Sequence, residues 1–147
     1  MLFNLFLLTF VCHLSAGAKS KVEEITDQKD FKKLLKTKNN VLLCFHDLPK
    51  AGAGSKILGL LAEVSEKVKG FGTVAAVDCN DKEGKKLCKK LKISFPAAQN
   101  FALKHYKEGV FHKDYNRKQT LASFVNFMKD PAAGLCPIHY ILSLNSN

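Results

Sequence analysis

At 147 residues the chain is long enough for one domain with a modest core and short appendages, and too short for two independent domains. Lys and Arg number 23 against 13 Asp and Glu, a formal charge of +10, so a strongly cationic surface must be explained.

Residues 1–18, MLFNLFLLTFVCHLSAGA, hold no charged side chain, run apolar from Leu2 to Val11, and close on Ala16-Gly17-Ala18 before Lys19. The pattern predicts a secretory signal peptide, because the apolar run is too short to span a bilayer, and no membrane span is expected further on. The charge then belongs entirely to the mature chain. Cleavage removes Cys12 and leaves Cys44, Cys79, Cys88 and Cys136 where disulfides persist, and four thiols allow three full pairings.

Asp27 is suited to cap a first helix from about Gln28 to Lys36, with Asp30 in its first turn and Phe31, Leu34 and Leu35 at helical spacing. The short apolar run VLLCF, Val41 to Phe45, predicts a strand buried on both faces. After the glycine-rich PKAGAGS, Ser55 opens a second helix with Ile57, Leu60, Leu61, Val64 and Val68 on one face and Gly70 beyond its end. Thr73 to Val77 reads as a strand, followed by a short basic helix around Leu87, Cys88 and Leu91. Phe101–Tyr106 and Val110–Tyr115 flank Lys107-Glu108-Gly109 as a hairpin, and Thr120 caps a last helix bearing Leu121, Phe124, Val125 and Met128. The expected class is α/β, a mixed central sheet with helices on both faces.

The phrases VLLCFHDLPKAGAGSKILGLLAEV and VAAVDCNDKEGKKLCKKLKISFP resemble the strand, active-site turn and helix, and then the next strand, helix and proline turn, of the protein disulfide isomerase family. KNNVL, HYKEGVFHKDYNR and FMKDP are similar to the amino-terminal, non-catalytic domain of an isomerase-related member. The resemblance runs from about Lys21 to Pro131 and implies a thioredoxin-like fold. It divides the chain into a signal peptide (1–18), a thioredoxin-like domain (19–130) and a flexible or alternative tail (131–147).

The catalytic members carry C-x-x-C where the central strand meets the second helix, since that helix N-terminus favours the thiolate. Here the place reads Leu48-Pro49-Lys50-Ala51-Gly52-Ala53-Gly54-Ser55, without sulfur, so the chain is not expected to be an enzyme and no cofactor is implied. Cys79 and Cys88 sit in VDCNDKEGKKLCKKLKI, and three readings present themselves: redox centre, metal clip or staple. Several isomerase domains hold a structural disulfide in the resembling position, which together with a strand-end and inner-helix placement favours the staple. Cys44 reads as a core residue. His105 and His112 flank the hairpin as surface residues and supply only half a structural metal site, so no metal is expected. Phe95-Pro96 resembles the family's cis-proline turn, making Pro96 a candidate cis-proline beside a substrate groove, although Ala97-Ala98-Gln99-Asn100 lengthens the connection that follows.

Lys82, Lys85, Lys86, Lys89, Lys90 and Lys92 place six cations in eleven residues, and Lys32, Lys33, Lys36 and Lys38 mark the first helix. Without an arginine-rich segment, recognition helix or stacking platform, and with a signal peptide ahead, nucleic acid is excluded. The expected function is a thioredoxin-like binding domain in the endoplasmic reticulum lumen that assists protein folding. It would recruit acidic chaperones of the calreticulin kind, other disulfide isomerases and unfolded clients through its basic face. The alternatives are a weak thiol–disulfide oxidoreductase using Cys79 and Cys88, with Cys136 as resolving thiol, and a secreted cationic polyanion-binder, since no retention signal closes the chain.

Overall fold

The computed structural model describes residues 22–49 and 55–132. The expected signal peptide, Lys50, the glycine-rich turn, Cys136 and the expected tail beyond residue 132 lie outside these described residues.

Five strands and four helices are described: β1 (Glu23–Glu24), α1 (Gln28–Thr37), β2 (Asn40–His46), α2 (Ser55–Val68), β3 (Thr73–Asp78), α3 (Lys82–Lys90), β4 (Phe101–Lys107), β5 (Val110–Asp114) and α4 (Leu121–Lys129). The sheet order is β1-β3-β2-β4-β5, with β1, β3 and β2 parallel and β4 and β5 antiparallel. This is the mixed α/β sheet expected from the alternation of elements.

The central strand β2 carries the logic of the fold. Val41 to Phe45 are completely buried because both faces of the sheet are covered, which is what a continuous apolar run demands. Leu42 and Cys44 point into a layer with Ile57, Leu61, Val64, Phe124 and Phe127 from α2 and α4. Val41, Leu43 and Phe45 point into the opposite layer with Phe31, Leu34 and Leu87 from α1 and α3. Burying a side chain of this size contributes about 1.5–3 kcal/mol, so the two layers supply most of the driving force.

The helix ends follow their caps. Asp27 Oδ1 accepts from the backbone N–H groups of Lys29 at 2.7 Å and Asp30 at 2.8 Å, and Thr120 accepts from Ser123 N–H at 3.3 Å. Gly70, just beyond α2, has φ +99°, the left-handed geometry that suits glycine. The β4–β5 turn places both Glu108 (φ 52°) and Gly109 (φ 82°) at positive φ, as a two-residue type I′ hairpin requires. β1 escaped the sequence reading because it is two exposed glutamates long, and only its parallel pairing with Ala75 and Ala76 makes it a strand.

Candidate functional site

Helix α3 brings the cationic residues and the cysteine pair together. Its start is set by Asp78 Oδ1, which accepts from Asn80 N–H at 2.8 Å, and by the cap Asp81, which accepts from Glu83 N–H at 3.3 Å. Gly84 is buried against the end of β3, so closely that a Cβ there would lie 2.0 Å from the carbonyl oxygen of Asp78. Leu87 and Cys88 complete the buried side of the helix. With three residues facing the core, the other positions of α3 are left to solvent, and there the lysines stand.

Lys82, Lys85, Lys86, Lys89, Lys90 and Lys92 are all exposed. Lys86 Nζ pairs with Glu83 at 2.7 Å, and Lys90 Nζ donates to Gln28 Oε1 at 2.9 Å, tying the last turn of α3 to the first turn of α1. Lys82, Lys85, Lys89 and Lys92 make no ion pair or hydrogen bond through their ammonium groups among the described residues. The exposed Lys32, Lys33 and Lys36 of α1 extend the positive surface past that junction.

The helix ends in a Schellman arrangement: Lys92 N–H donates to Lys89 C=O at 3.1 Å, and Ile93 N–H to Cys88 C=O at 2.9 Å. The residue that must turn left-handed is Lys92, at φ 52°, where glycine is usual. Ile93 then packs into the same apolar layer as Cys88.

Cys79 lies one residue past β3, its N–H donating to His46 C=O at 2.8 Å, and forms a disulfide with Cys88 across a Cα–Cα distance of 5.9 Å. The bond fastens α3 to the strand from which it departs. Cys79 is half-buried and Cys88 buried. Cys44 is free, completely buried, and its thiol is pushed up to about 12 by burial, so it behaves as a small hydrophobe.

Two expectations are corrected by the structure. No peptide bond among the described residues is cis, so Pro96 is trans. The added residues explain it: Gln99 N–H donates to Pro96 C=O at 3.0 Å and Ala98 adopts φ 65°, so a four-residue turn from Pro96 to Gln99 reverses the chain with a trans peptide. The second correction concerns His105, which is not a surface residue but has 0% exposure. It faces His112 across the hairpin as expected, and its Nε2 meets Asn40 Oδ1 at 2.7 Å. Burial, then the positive charges of His112, Lys113 and Lys107, lower its pKa to about 4.

The sequence reading missed two further features. His46, at the end of β2, is buried with no partner for Nδ1 among the described residues; burial lowers its pKa against the opposing pull of Asp78, Asp47 and Glu24. A groove of about 520 Å³ lies between the α3–β4 and β5–α4 connections, lined by Phe95, Pro96, Phe101, Tyr115 and Arg117 among others. No short motif marks either one, because each is assembled from segments far apart in sequence.

No family model matches the chain. Curated relatives do, among them protein disulfide-isomerase A5 of Bos taurus and that of Mus musculus, each 47% identical over 118 residues, or 80% of this chain. The chain spans about a fifth of their length, 22%. Among solved structures, the zinc-bound form of human ERp44 superposes with a TM-score of 0.62 at 14% identity, covering 78% of this chain and 31% of that one. The J-Trx1 fragment of ERdj5 gives 0.57 at 21%, covering 72% and 50%. Oxidised thioredoxin from Plasmodium falciparum gives 0.58 at 18%, covering 77% and 100%.

These findings overturn the expectation that the chain is not an enzyme. That expectation rested on the missing C-x-x-C. The chain nevertheless holds a closed Cys79–Cys88 pair, nine residues apart instead of three, on the fold of the thioredoxins, so the lack of the motif does not dispose of thiol chemistry. Over the segment it shares with its curated relatives, the chain is a thioredoxin-fold member of the protein disulfide isomerase family.

Proposed function

We propose that this chain acts in the endoplasmic reticulum lumen as a binding domain of the disulfide isomerase family, recruiting acidic chaperones of the calreticulin kind and unfolded clients through the cationic face of α3. The observation that carries the reading is the concentration of six exposed lysines on one short anchored segment, four of them without a partner among the described residues. Such a field raises the encounter rate with a polyanion and weakens as salt screens it, with a Debye length of about 8 Å at physiological ionic strength. The signal-like residues 1–18 and the kinship with disulfide isomerases support the lumenal placement.

Titration calorimetry against calreticulin at low and at physiological salt tests the docking. Reversing Lys85, Lys86, Lys89 and Lys90 to Glu should abolish binding and leave the fold intact, since exposed positions usually change stability by less than about 0.5 kcal/mol each. Affinity indifferent to salt and to the reversal removes the reading.

A second reading is favoured by one specific observation: Cys79 is half-buried within a formed disulfide. In that reading the pair exchanges with client thiols. Insulin reduction that disappears in Cys79→Ser establishes it, and equal turnover by the variant excludes it.

A further inference from the structure

We infer that the Cys79–Cys88 disulfide governs the docking face: oxidised, it holds α3 in the conformation that presents the lysines together, and reduction by a dithiol releases the helix and disperses them. The inference rests on the docking reading above and adds its regulation.

Nothing in α3 itself makes it a stable helix. It spans nine residues, short of the dozen or more that an isolated helix needs, and has glycine at its third position, Gly84. Its lysines repel one another along the surface, with Lys82 and Lys86, Lys85 and Lys89, and Lys86 and Lys90 all four apart. Among the described residues one ion pair stands on the helix, Lys86 with Glu83, and it is exposed. The apolar hold of the helix is short, Leu87 and Cys88 beside the closely packed Gly84, with Leu91 and Ile93 at its C-terminal exit. Against that repulsion stands one covalent tie, placed on the buried side in the last turn, from Cys88 to Cys79 just past the end of β3. The tie also positions the C-terminal cap, because Cys88 C=O is the acceptor for Ile93 N–H. Opening it frees the cap, the last turn and the bridge from Lys90 to Gln28 at once.

The chemistry balances. A thiolate of the dithiol attacks Sγ of Cys79, the half-buried partner; the Sγ–Sγ bond breaks, and Cys88 leaves as a thiolate that takes up a proton. The second thiol then attacks the mixed disulfide, releasing Cys79 as a thiol and closing the reagent into its own disulfide. Two electrons and two protons pass from the dithiol to the cysteine pair.

The test uses the full chain, poly-L-glutamate as acidic probe, and dithiothreitol. Binding is read by fluorescence anisotropy, and the amides of α3 and β2 by hydrogen exchange. If reduction lowers the competent fraction to about a tenth, affinity for the probe falls about tenfold. Exchange should accelerate at Leu87 to Leu91 and stay slow at Val41 to Phe45. The double variant Cys79→Ser, Cys88→Ser should match the reduced chain, and reoxidation should restore the wild type alone. Probe binding that is equal before and after reduction overturns the inference while the docking reading survives. Failure of the oxidised chain to bind removes the docking reading, and this regulation with it. Loss of protection in β2 as well as α3 also overturns the inference, since the bond would then be supporting the whole fold.

Discussion

His105 and His112 meet Nδ1 to Nδ1 at 3.0 Å across the β4–β5 hairpin, one imidazole fully buried and the other exposed. The proton arrangement follows from the neighbour. Asn40 Nδ2 donates to Phe71 C=O at 2.9 Å and to Met128 C=O at 2.8 Å, which leaves its Oδ1 to accept from His105 Nε2–H. His105 is therefore the neutral Nε2–H tautomer, and its bare Nδ1 accepts the Nδ1–H of His112. Protonating His112 keeps that bond, whereas protonating His105 sets two N–H groups against each other.

Acid should therefore destabilise the domain through His105. Its folded pKa lies near 4, below the 6.5 of an unfolded histidine, so the stabilisation is complete above 6.5 and is lost as pH falls toward 4. Between about pH 7.5 and about pH 5 this group alone should remove about 2 kcal/mol. Urea denaturation across that window checks it, with His105→Gln as the variant in which this slope disappears.

Removing the disulfide should cost the fold less than it costs α3. A closed loop of about ten residues contributes about 2.5–3 kcal/mol in the chain-entropy model. Cys88→Ser, followed by guanidinium denaturation against the wild type with and without reductant, should show that loss, and the reductant should no longer matter to the variant.

Gly84→Ala should be costly despite its modest chemistry. The added Cβ would sit 2.0 Å from Asp78 C=O, a backbone atom that cannot swing aside, so α3 must move bodily. A loss of about 2–3 kcal/mol is expected from the overpacking, read as a lower thermal midpoint.

Lys92→Gly should have the opposite sign. A left-handed φ of 52° costs a lysine about 1 kcal/mol, and glycine relieves it, partly offset by its greater freedom in the unfolded chain. A net gain of about 0.5 kcal/mol should appear in the denaturation midpoint, while the loss of one positive charge slightly weakens binding to acidic probes.

The parts of the fold that depend on local periodicity were legible. Phe31 and Leu34, Ile57 with Leu61, Val64 and Val68, and Phe124 with Met128 face the core as their spacing requires, and the caps Asp27 and Thr120 stand where short polar side chains precede those runs. The fate of His105 was not legible, because its burial is underwritten by Asn40, 65 residues away, and one histidine in an alternating strand carries no sign of a remote partner. Pro96 misled for a related reason: the motif was present, but the turn from Pro96 to Gln99 makes the reversal with a trans bond. The missing C-x-x-C carried the expectation that the chain is not an enzyme, and it misled because one short motif says nothing of thiol chemistry at two cysteines that a strand and a helix bring to a Cα–Cα distance of 5.9 Å.

The amide of Asn40 also bears on the order in which the molecule assembles. Its three bonds reach residues 31, 65 and 88 positions along the chain, so the full set is complete only once the longest of these loops has closed. The set as a whole should therefore be completed late on the folding route and act as a latch on the finished state. Asn40→Ala, worth about 2 kcal/mol through the donors and acceptors it orphans, should speed unfolding about thirtyfold and leave refolding almost unchanged in a chevron measurement.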